Sequence, residues 1–257
     1  MKTNKKIIEI NEITYDFLKN LKDKMGKPND SWDDWLINSF ELDKPSSDEK
    51  IIENIFKKNT FDKYYDLWIR NFSINLPNIW NEHSANVLKQ TLDKTSSALV
   101  IGRGPSIEKN NHFELLAKSN YTGSIMCCDG SLSKVLDAGI TPDKFPNFFV
   151  ITIDSQDRQK ACYDHDIVKK YGNKIKCILS TTVSPLTYSE VKQAGMDIYW
   201  LNTLFDYDNG KNSFNYISNT MIKTKNHSKG LPAIQTGGNV GTSAWVVCWT
   251  ILQKSIV

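Results

Sequence analysis

Short apolar runs separated by helical patterns characterise the chain from residue 97 onward. Strand-like runs occupy residues 98–101, 124–128, 148–153, 175–179 and 198–201. Residues 188–194 follow a helical pattern between the last two runs, and an apolar helix is predicted after residue 241. Strands that alternate with helices favour a parallel sheet. The pattern therefore predicts an α/β fold in which residues 96–257 form a Rossmann-like parallel-sheet domain, preceded by a helical N-terminal region.

The first 45 residues predict a small strand-helix-helix segment. A β-like run from Lys6 to Ile10 precedes two helical patterns, which Gly26 and Pro28 separate. This order resembles that of ribbon-helix-helix modules, in which a two-chain β-ribbon binds DNA. A helical hairpin that only packs or dimerises is the alternative interpretation of residues 1–45.

Residues 46–95 predict a helical N-terminal subdomain. It overlaps the polar stretch 41–49, which has the composition of a linker. Aromatic and aliphatic side chains recur at helical spacing from Ile51 to Leu88. No basic stripe accompanies them, so they indicate a packing face rather than a nucleic-acid platform. Pro77 is expected to separate two helices here.

Composition adds limits to this interpretation. The formal net charge of +3 and the pI near 8.4 are too mild to indicate nucleic-acid binding. The five cysteines contain no C-x-x-C pair, which is typical of a reducing cytosol and argues against a disulfide framework or a zinc site. The N-terminal sequence lacks the apolar core of a signal peptide, and no run approaches about 18 apolar residues. We therefore expect a cytoplasmic protein without a membrane partner.

Two acidic residues follow neighbouring predicted strands. Asp129 comes directly after the run 124–128, and Asp154 follows the run 148–153. Parallel strands joined by a helix end at the same edge of a sheet, where α/β proteins bind ligands. Paired carboxylates at that edge suit Mg²⁺ that accompanies phosphates. The alternative is that both acids only form turns or cap helices.

Two glycine-containing loops precede predicted helices. They are Gly102-Arg103-Gly104-Pro105-Ser106 and Gly237-Gly238-Asn239-Val240-Gly241-Thr242. Backbone N–H groups at such helix starts bind phosphates. The first loop has neither a Rossmann nor a Walker spacing, and its Arg103 would either neutralise phosphate charge or lie exposed at a turn. Tight connections that only glycine fits are the alternative reading of these loops.

Short motifs along the chain occur in an order that resembles one protein family. They are Gly102-Arg103-Gly104-Pro105-Ser106, Cys128-Asp129-Gly130-Ser131, Gly139-Ile140-Thr141-Pro142-Asp143, Ile153-Asp154 and Gly237-Gly238-Asn239-Val240-Gly241. As an ordered set they resemble the archaeal 6-hydroxymethylpterin pyrophosphokinase-like proteins, which share their domain with bacterial motility-associated glycosylation factors. The middle motifs also resemble the magnesium-nucleotide site of thiamine pyrophosphokinase. The resemblance covers about residues 50–257.

This resemblance implies a Mg²⁺-dependent pyrophosphokinase, which transfers diphosphate from ATP to 6-hydroxymethyl-7,8-dihydropterin. Asp129 and Asp154 match the acidic positions expected to hold Mg²⁺ and to act in catalysis. The implied nucleotide and phosphate site contains Gly102, Arg103, Gly104, Ser106, Gly130, Ser131, Gly237, Gly238, Asn239, Gly241 and Thr242. The expected partners are ATP and the pterin; a homodimer is left open, and nucleic acid is not expected.

The chain departs from the family pattern at two places. Thr152 stands where the kinases have an acid two residues before the last aspartate, and Asp157 is the nearest acid that could replace it. The last helix is expected to end at Val257, whereas the family continues into another strand, which predicts a truncated sheet. Two alternatives stay open: a nucleotide-sugar glycosyltransferase, and a DNA-binding or dimerising regulator that acts through residues 2–40.

Overall fold

The structure is a computed structural model of the chain. It describes residues 47–91, 97–223, 227–236 and 238–257, together with Lys19 and Asp23. The chain divides into two compact units, Met1–Thr60 and Phe61–Val257, and the sheet belongs to the second. Apart from Lys19 and Asp23, the predicted strand-helix-helix segment of residues 1–45 lies outside the described residues.

Strands and helices alternate along most of the described chain. The strands are β1 (His83–Ser84), β2 (Ala98–Ile101), β3 (Ser124–Cys128), β4 (Phe148–Thr152), β5 (Lys176–Ser180), β6 (Asp197–Thr203) and β7 (Ala233–Ile234). The α-helices are α1 (Ser47–Asn81), α2 (Leu88–Thr91), α3 (Ser106–Lys109), α4 (His112–Lys118), α5 (Leu132–Asp137), α6 (Asp166–Tyr171), α7 (Pro185–Gln193), α8 (Phe214–Lys223) and α9 (Val240–Thr250). Short 3₁₀ segments lie at Ala85–Val87, Asp129–Ser131, Asp157–Cys162, Gly172–Lys174 and Tyr207–Asn212.

The strands form one parallel sheet. Their order is β1-β6-β5-β4-β3-β2, and β7 also pairs with β6. From β2 to β6, strands that follow one another in the chain are also neighbours in the sheet. This architecture confirms the predicted α/β, Rossmann-like fold class. The sequence did not indicate β1 or β7, because two-residue strands carry too little pattern.

The sheet is buried on both faces. Ile125 and Cys127 of β3 pack on the side that α1, α5 and α7 cover, whereas Met126 and Cys128 pack with α9. Successive residues of a strand point to opposite faces, and a strand covered on both sides therefore needs apolar residues throughout. This explains why the central strands appear in the sequence as continuous apolar runs.

Helix α1 continues through Pro77, so the predicted break between two helices is wrong. Phe72, Leu76 and Ile79, which lie on both sides of the proline, are buried in the core. An internal proline costs a helix about 3 kcal/mol, and the packing of this apolar face offsets that cost. Asn81 Nδ2 also donates a hydrogen bond to the Pro77 carbonyl at 2.8 Å.

Helix α9 ends at Thr250, which corrects the expectation that it runs to Val257. Gln253 turns the chain with a left-handed φ of 52°. Ile256 then pairs in parallel with Ser97 beside β2, where the backbone N–H of Ala98 donates to the Ile256 carbonyl at 2.9 Å. The residues after α9 therefore extend the pairing at the β2 edge of the sheet.

The sequence of α9 contains no charged residue. Ala244, Val247 and Cys248 pack on the sheet, while Trp245 and Trp249 are 45% and 58% exposed, with ring centroids 5.6 Å apart. Neither α9 nor any other helix in the described ranges is long and apolar enough to cross a membrane.

Replacement of Ile79 by alanine should destabilise the protein far more than replacement of Ile74 in the same helix. Ile79 is fully buried, whereas Ile74 is 48% exposed. We expect Ile79→Ala to lower the free energy of unfolding by about 2–5 kcal/mol, and Ile74→Ala by about 0.5 kcal/mol or less. Urea denaturation followed by circular dichroism measures both, and equal losses would contradict the packing of α1 against the sheet.

Candidate active site at the carboxyl edge of the sheet

Asp129 and Asp154 lie at the same edge of the sheet. β3 ends one residue before Asp129, and β4 ends two residues before Asp154. The two strands are parallel neighbours in which Cys128 pairs with Ile151. Their carboxyl ends therefore bring both acids to the edge where α/β sheets bind ligands.

The Asp129 carboxylate is buried and held at both oxygens. Oδ1 accepts a hydrogen bond from the backbone N–H of Gly130 at 2.7 Å, and Oδ2 accepts one from Thr152 Oγ1 at 2.9 Å. Burial is the main cause that raises the pKa of Asp129, and the charge of Asp154 adds to it. The two hydrogen bonds and the charge of Arg103 act against this rise in pKa. Such a perturbed carboxylate at a sheet edge is typical of functional sites.

The Asp154 carboxylate is held by the residues that follow it. Oδ1 accepts from the backbone N–H of Gln156 at 2.9 Å, and Oδ2 accepts from Gln159 Nε2 at 2.6 Å. Arg158 forms an ion pair with the same Oδ2 at 3.5 Å. The side chain is 29% exposed. Asp154 is thus oriented by its own turn while part of its surface faces solvent.

Thr152 is fully buried at the end of β4, next to Asp129. Its hydroxyl contacts Asp129, and the Tyr163 hydroxyl lies 2.7 Å from Thr152 Oγ1. Burial raises the pKa of Tyr163 well above its usual range, so the phenol stays protonated. Asp157, the acid considered as a replacement ligand, accepts a hydrogen bond from Ser184 Oγ at 2.5 Å. The structure therefore connects Asp157 to the loop that follows β5.

Two buried asparagines of α1 fix the loops around the acids. Asn71 Nδ2 donates to the carbonyls of Ser155 and Thr182, at 2.9 and 3.1 Å, and Asn75 Nδ2 donates to that of Val183 at 2.9 Å. These carbonyls belong to the loops that follow β4 and β5. Sequence reasoning missed both asparagines, although two polar residues four apart on an apolar helix face were a usable signal.

The first glycine turn lies beside Asp129. Ser131 Oγ donates to the Ile101 carbonyl at 3.0 Å, which joins the end of β2 to the turn after β3. A Cβ atom at Gly130 would lie 2.8 Å from Arg103 Cδ, so the arginine side chain packs over this glycine. The Arg103 guanidinium also lowers the pKa of Asp129. The structure thus brings Arg103, Gly130, Ser131 and Asp129 together.

A mostly apolar cavity of about 630 Å³ adjoins the same turn. Gly102, Gly104 and Ser106 line one part of it. A Cβ atom at Gly102 would meet no atom within 4 Å, and one at Gly104 would meet only Ser106 Oγ, at 3.7 Å. The apolar walls come from β2 and α4 and include Leu99, Ile101, Phe113 and Leu116, with His112 and Tyr121 as polar neighbours. The glycines of the turn therefore leave open space beside the chain at this end of the cavity.

The second glycine loop begins α9. β7 pairs in parallel with β6, so this loop also follows the carboxyl end of a strand. Asn239 Oδ1 caps the helix by accepting from the Thr242 backbone N–H at 2.9 Å, and Thr242 Oγ1 donates to the Thr236 carbonyl at 3.0 Å. Gly238 has a φ of 84°, which favours glycine. These contacts give Asn239 and Thr242 structural roles; Gly237 lies outside the described residues.

The two acids suit a magnesium ion only in combination with other ligands. The described ranges contain no group of three or more His, Cys, Asp or Glu side chains that could hold a metal. Mg²⁺ is commonly bound by one or two carboxylates together with substrate phosphates and several waters. Asp129 and Asp154 fit that donor set, because a cation would offset the cost of burial, which is the main cause of the raised pKa of Asp129, and the smaller repulsion from Asp154.

The parallel sheet and the acids at the ends of β3 and β4 define a Rossmann-like α/β protein with a candidate ligand site at its carboxyl edge. The chain belongs to the 6-hydroxymethylpterin diphosphokinase MptE-like family, whose model matches residues 70–257. This match confirms the family that the ordered motifs indicated. No curated protein and no solved structure gave a match.

Asp129→Asn should stabilise the fold at neutral pH. The pKa of Asp129 is raised on folding, so its contribution to stability is present at low pH and is lost as the pH rises through the folded-state pKa. Asparagine avoids this loss, since it stays neutral and its amide can donate to Thr152. We expect a higher Tm than that of the wild type at pH 7, and a difference that disappears below about pH 4. Thermal unfolding without added Mg²⁺ measures it.

Asp164→Asn is the control for this experiment. Lys169 lowers the pKa of the exposed Asp164 through a hydrogen bond and its charge. The contribution of Asp164 is therefore present at neutral pH and lost as the pH falls, and Asp164→Asn should give no stabilisation at pH 7. A lower Tm for Asp129→Asn at pH 7 would contradict the assignment of a burial cost to Asp129.

Proposed function

We propose that this protein is a Mg²⁺-dependent diphosphotransferase, which moves the terminal diphosphate of ATP to the hydroxymethyl group of 6-hydroxymethyl-7,8-dihydropterin. The observation that carries the proposal is the pair Asp129 and Asp154 beside Arg103 at the carboxyl edge of the sheet. The family match over residues 70–257 supports the choice of diphosphate donor chemistry and of a pterin acceptor.

The proposed reaction needs charge neutralisation and alignment. The hydroxymethyl oxygen attacks the β-phosphorus of ATP and releases its proton to solvent, while the bond from the β-phosphorus to the α,β-bridging oxygen breaks and AMP leaves. Such transfers proceed without a covalent enzyme nucleophile. Asp129 and Asp154 would hold Mg²⁺, which when bound neutralises phosphate charge. Arg103 would add a fixed positive charge beside the same phosphates.

The cavity beside β2 supports binding of a planar ring close to the acids. Its walls are mostly apolar, and Phe113, His112 and Tyr121 offer ring faces and polar groups. Small-molecule sites commonly combine apolar walls with a few polar groups in this way. Gly102 and Gly104 connect the cavity to the turn that carries Arg103. A ring in the cavity would thus lie next to the turn that carries Arg103, whose side chain packs over Gly130 beside Asp129.

A nucleotide-sugar glycosyltransferase of the motility-associated type is the second candidate. The observation that favours it is the neutral, buried Thr152, which leaves fewer acids at the edge than the kinase pattern contains. A nucleotide sugar brings its own diphosphate, and one carboxylate–metal contact can hold it. The interpretation as a DNA-binding or dimerising regulator concerns residues 2–40, which lie outside the described ranges apart from Lys19 and Asp23.

Asp154→Asn should abolish diphosphate transfer without unfolding the protein. The substitution removes a charge that would neutralise and orient the metal, and we expect kcat/KM to fall by about 100-fold or more. The free energy of unfolding should change little, because Asp154 is partly exposed. The assay incubates the protein with ATP, Mg²⁺ and the hydroxymethyl dihydropterin and quantifies AMP and pterin diphosphate by chromatography.

Asp143→Asn is the matched control for this assay. Although Asp143 ends the motif Gly139-Ile140-Thr141-Pro142-Asp143, the structure places it in the turn before β4, at the edge of the sheet opposite to the acids, where it pairs with the exposed Lys174. This variant should keep full activity. Formation of neither AMP nor pterin diphosphate by the wild type would refute the proposal. Hydrolysis or transfer from a UDP- or CMP-sugar, without AMP formation from ATP, would establish the second candidate instead.

Leu99→Trp should weaken ring binding by filling the cavity. Leu99 lines the cavity and is 39% exposed, so a larger side chain is expected to fit without loss of the fold. We expect the Kd of the pterin to rise by about tenfold, which corresponds to about 1.4 kcal/mol. Titration of the intrinsic pterin fluorescence measures this affinity, and a fluorescent ATP analogue measures that of the nucleotide.

Leu186→Trp serves as the control, since Leu186 is 46% exposed at the start of α7 and does not line the cavity. A loss of nucleotide affinity alone in Leu99→Trp would assign the cavity to the adenine ring. Unchanged affinity for both ligands would remove the cavity from the proposed site.

A further inference from the structure

Thr152 occupies a central position in the hydrogen bonding of the site. Its side chain is fully buried at the end of β4, and its Oγ1 lies 2.9 Å from Asp129 Oδ2 and 2.7 Å from the Tyr163 hydroxyl. Tyr163 is also fully buried, and its oxygen lies 3.7 Å from Cys177 Sγ. A chain of buried groups thus runs from Cys177 on β5 to the Asp129 carboxylate.

The number of hydrogens in this chain determines the direction of each bond. An ionised carboxylate only accepts, so the single hydroxyl hydrogen of Thr152 is donated to Asp129. Thr152 must then accept from the Tyr163 hydroxyl, whose only hydrogen is used in that bond. The Cys177 thiol is left as the donor to Tyr163. Each member therefore fixes the orientation of the next, and the chain ends on one specific oxygen of Asp129.

Both oxygens of Asp129 are consequently oriented by hydrogen bonds. Gly130 supplies a backbone N–H to Oδ1, and Thr152 supplies a hydroxyl to Oδ2. An acid at position 152 would place a second buried negative charge within hydrogen-bond distance of Asp129, which is costly. A threonine instead supplies a donor that aligns the carboxylate, as the outer partners of metal ligands do.

We infer that Thr152 is a positioning residue for Asp129, held in place by Tyr163, and that it takes the place of a third acid at the site. The inference rests on the proposed function, because the group that Asp129 would engage is Mg²⁺ bound to nucleotide. Thr152 itself does not touch the ligands; it sets the direction of the Asp129 lone pairs that do.

The test compares three substitutions at Thr152 and Tyr163 in the full chain. Thr152→Val keeps the shape and removes the donor, Thr152→Ser keeps the donor, and Thr152→Val/Tyr163→Phe removes both partners. Affinity for Mn²⁺ in the presence of α,β-methylene-ATP, measured by electron paramagnetic resonance, is the main readout. We expect Thr152→Val to weaken Mn²⁺ binding by about 10–100-fold and Thr152→Ser to remain within about threefold of the wild type, because the serine keeps the hydroxyl donor.

The double variant distinguishes a loss of Mn²⁺ affinity that comes from a misaligned Asp129 carboxylate from one that comes from a less stable fold. Thr152→Val alone leaves the buried Tyr163 hydroxyl and the Asp129 Oδ2 atom without their partners, which destabilises the protein. The double variant removes the unpaired tyrosine hydroxyl, at the cost of only the weak contact with the Cys177 thiol. We expect the double variant to recover part of the Tm lost in Thr152→Val but none of the Mn²⁺ affinity.

Wild-type Mn²⁺ affinity in Thr152→Val, or its recovery together with the Tm in the double variant, would overturn the inference. The variants could show the expected order of Mn²⁺ affinities while the wild type forms no pterin diphosphate. That outcome would refute the proposed reaction but would leave the role of Thr152 standing.

Discussion

The parallel pairing of β3 with β4 is the constraint on which the candidate site depends. Both strands are buried on both faces, so their register is determined by the core on each side. A slip of one residue would turn every side chain of a strand to the opposite face. The pairing of Cys128 with Ile151 therefore fixes where Asp129, Thr152 and Asp154 emerge. The packing of the protein interior therefore sets the points at which the acids leave the sheet, and the turn after β4 then orients Asp154.

Much of the fold and the placement of the acids could be predicted from the sequence. The continuous apolar runs indicated the central strands because buried parallel strands tolerate few polar residues. Once a parallel sheet was expected, Asp129 and Asp154 had to share an edge, since each follows a strand. The ordered motifs then identified the family, which no single motif was specific enough to do.

Contacts between distant parts of the chain could not be predicted from the sequence. Asn71 donates to carbonyls 84 and 111 residues away, and the spacing of Asn71 and Asn75 in the sequence does not show which carbonyls they bind. Tyr163 directly follows the 3₁₀ segment Asp157–Cys162, and its contact with Thr152 on β4 depends on the fold. The helix break predicted at Pro77 was wrong because tertiary packing stabilises α1 on both sides of the proline. The true end of α9 was missed for a related reason, since Ile256 pairs with a strand far earlier in the chain.

The bond between Thr152 and Tyr163 has a consequence for how this site can change over generations. A switch from threonine to an acid at position 152 would place a carboxylate against Asp129 and alter what the tyrosine hydroxyl contacts. The main cost of that switch is the repulsion between two buried carboxylates, and the loss of the threonine donor to Asp129 adds to it. A change from a hydroxyl to an acid at position 152 is therefore unfavourable in this chain unless the surroundings of Asp129 change with it.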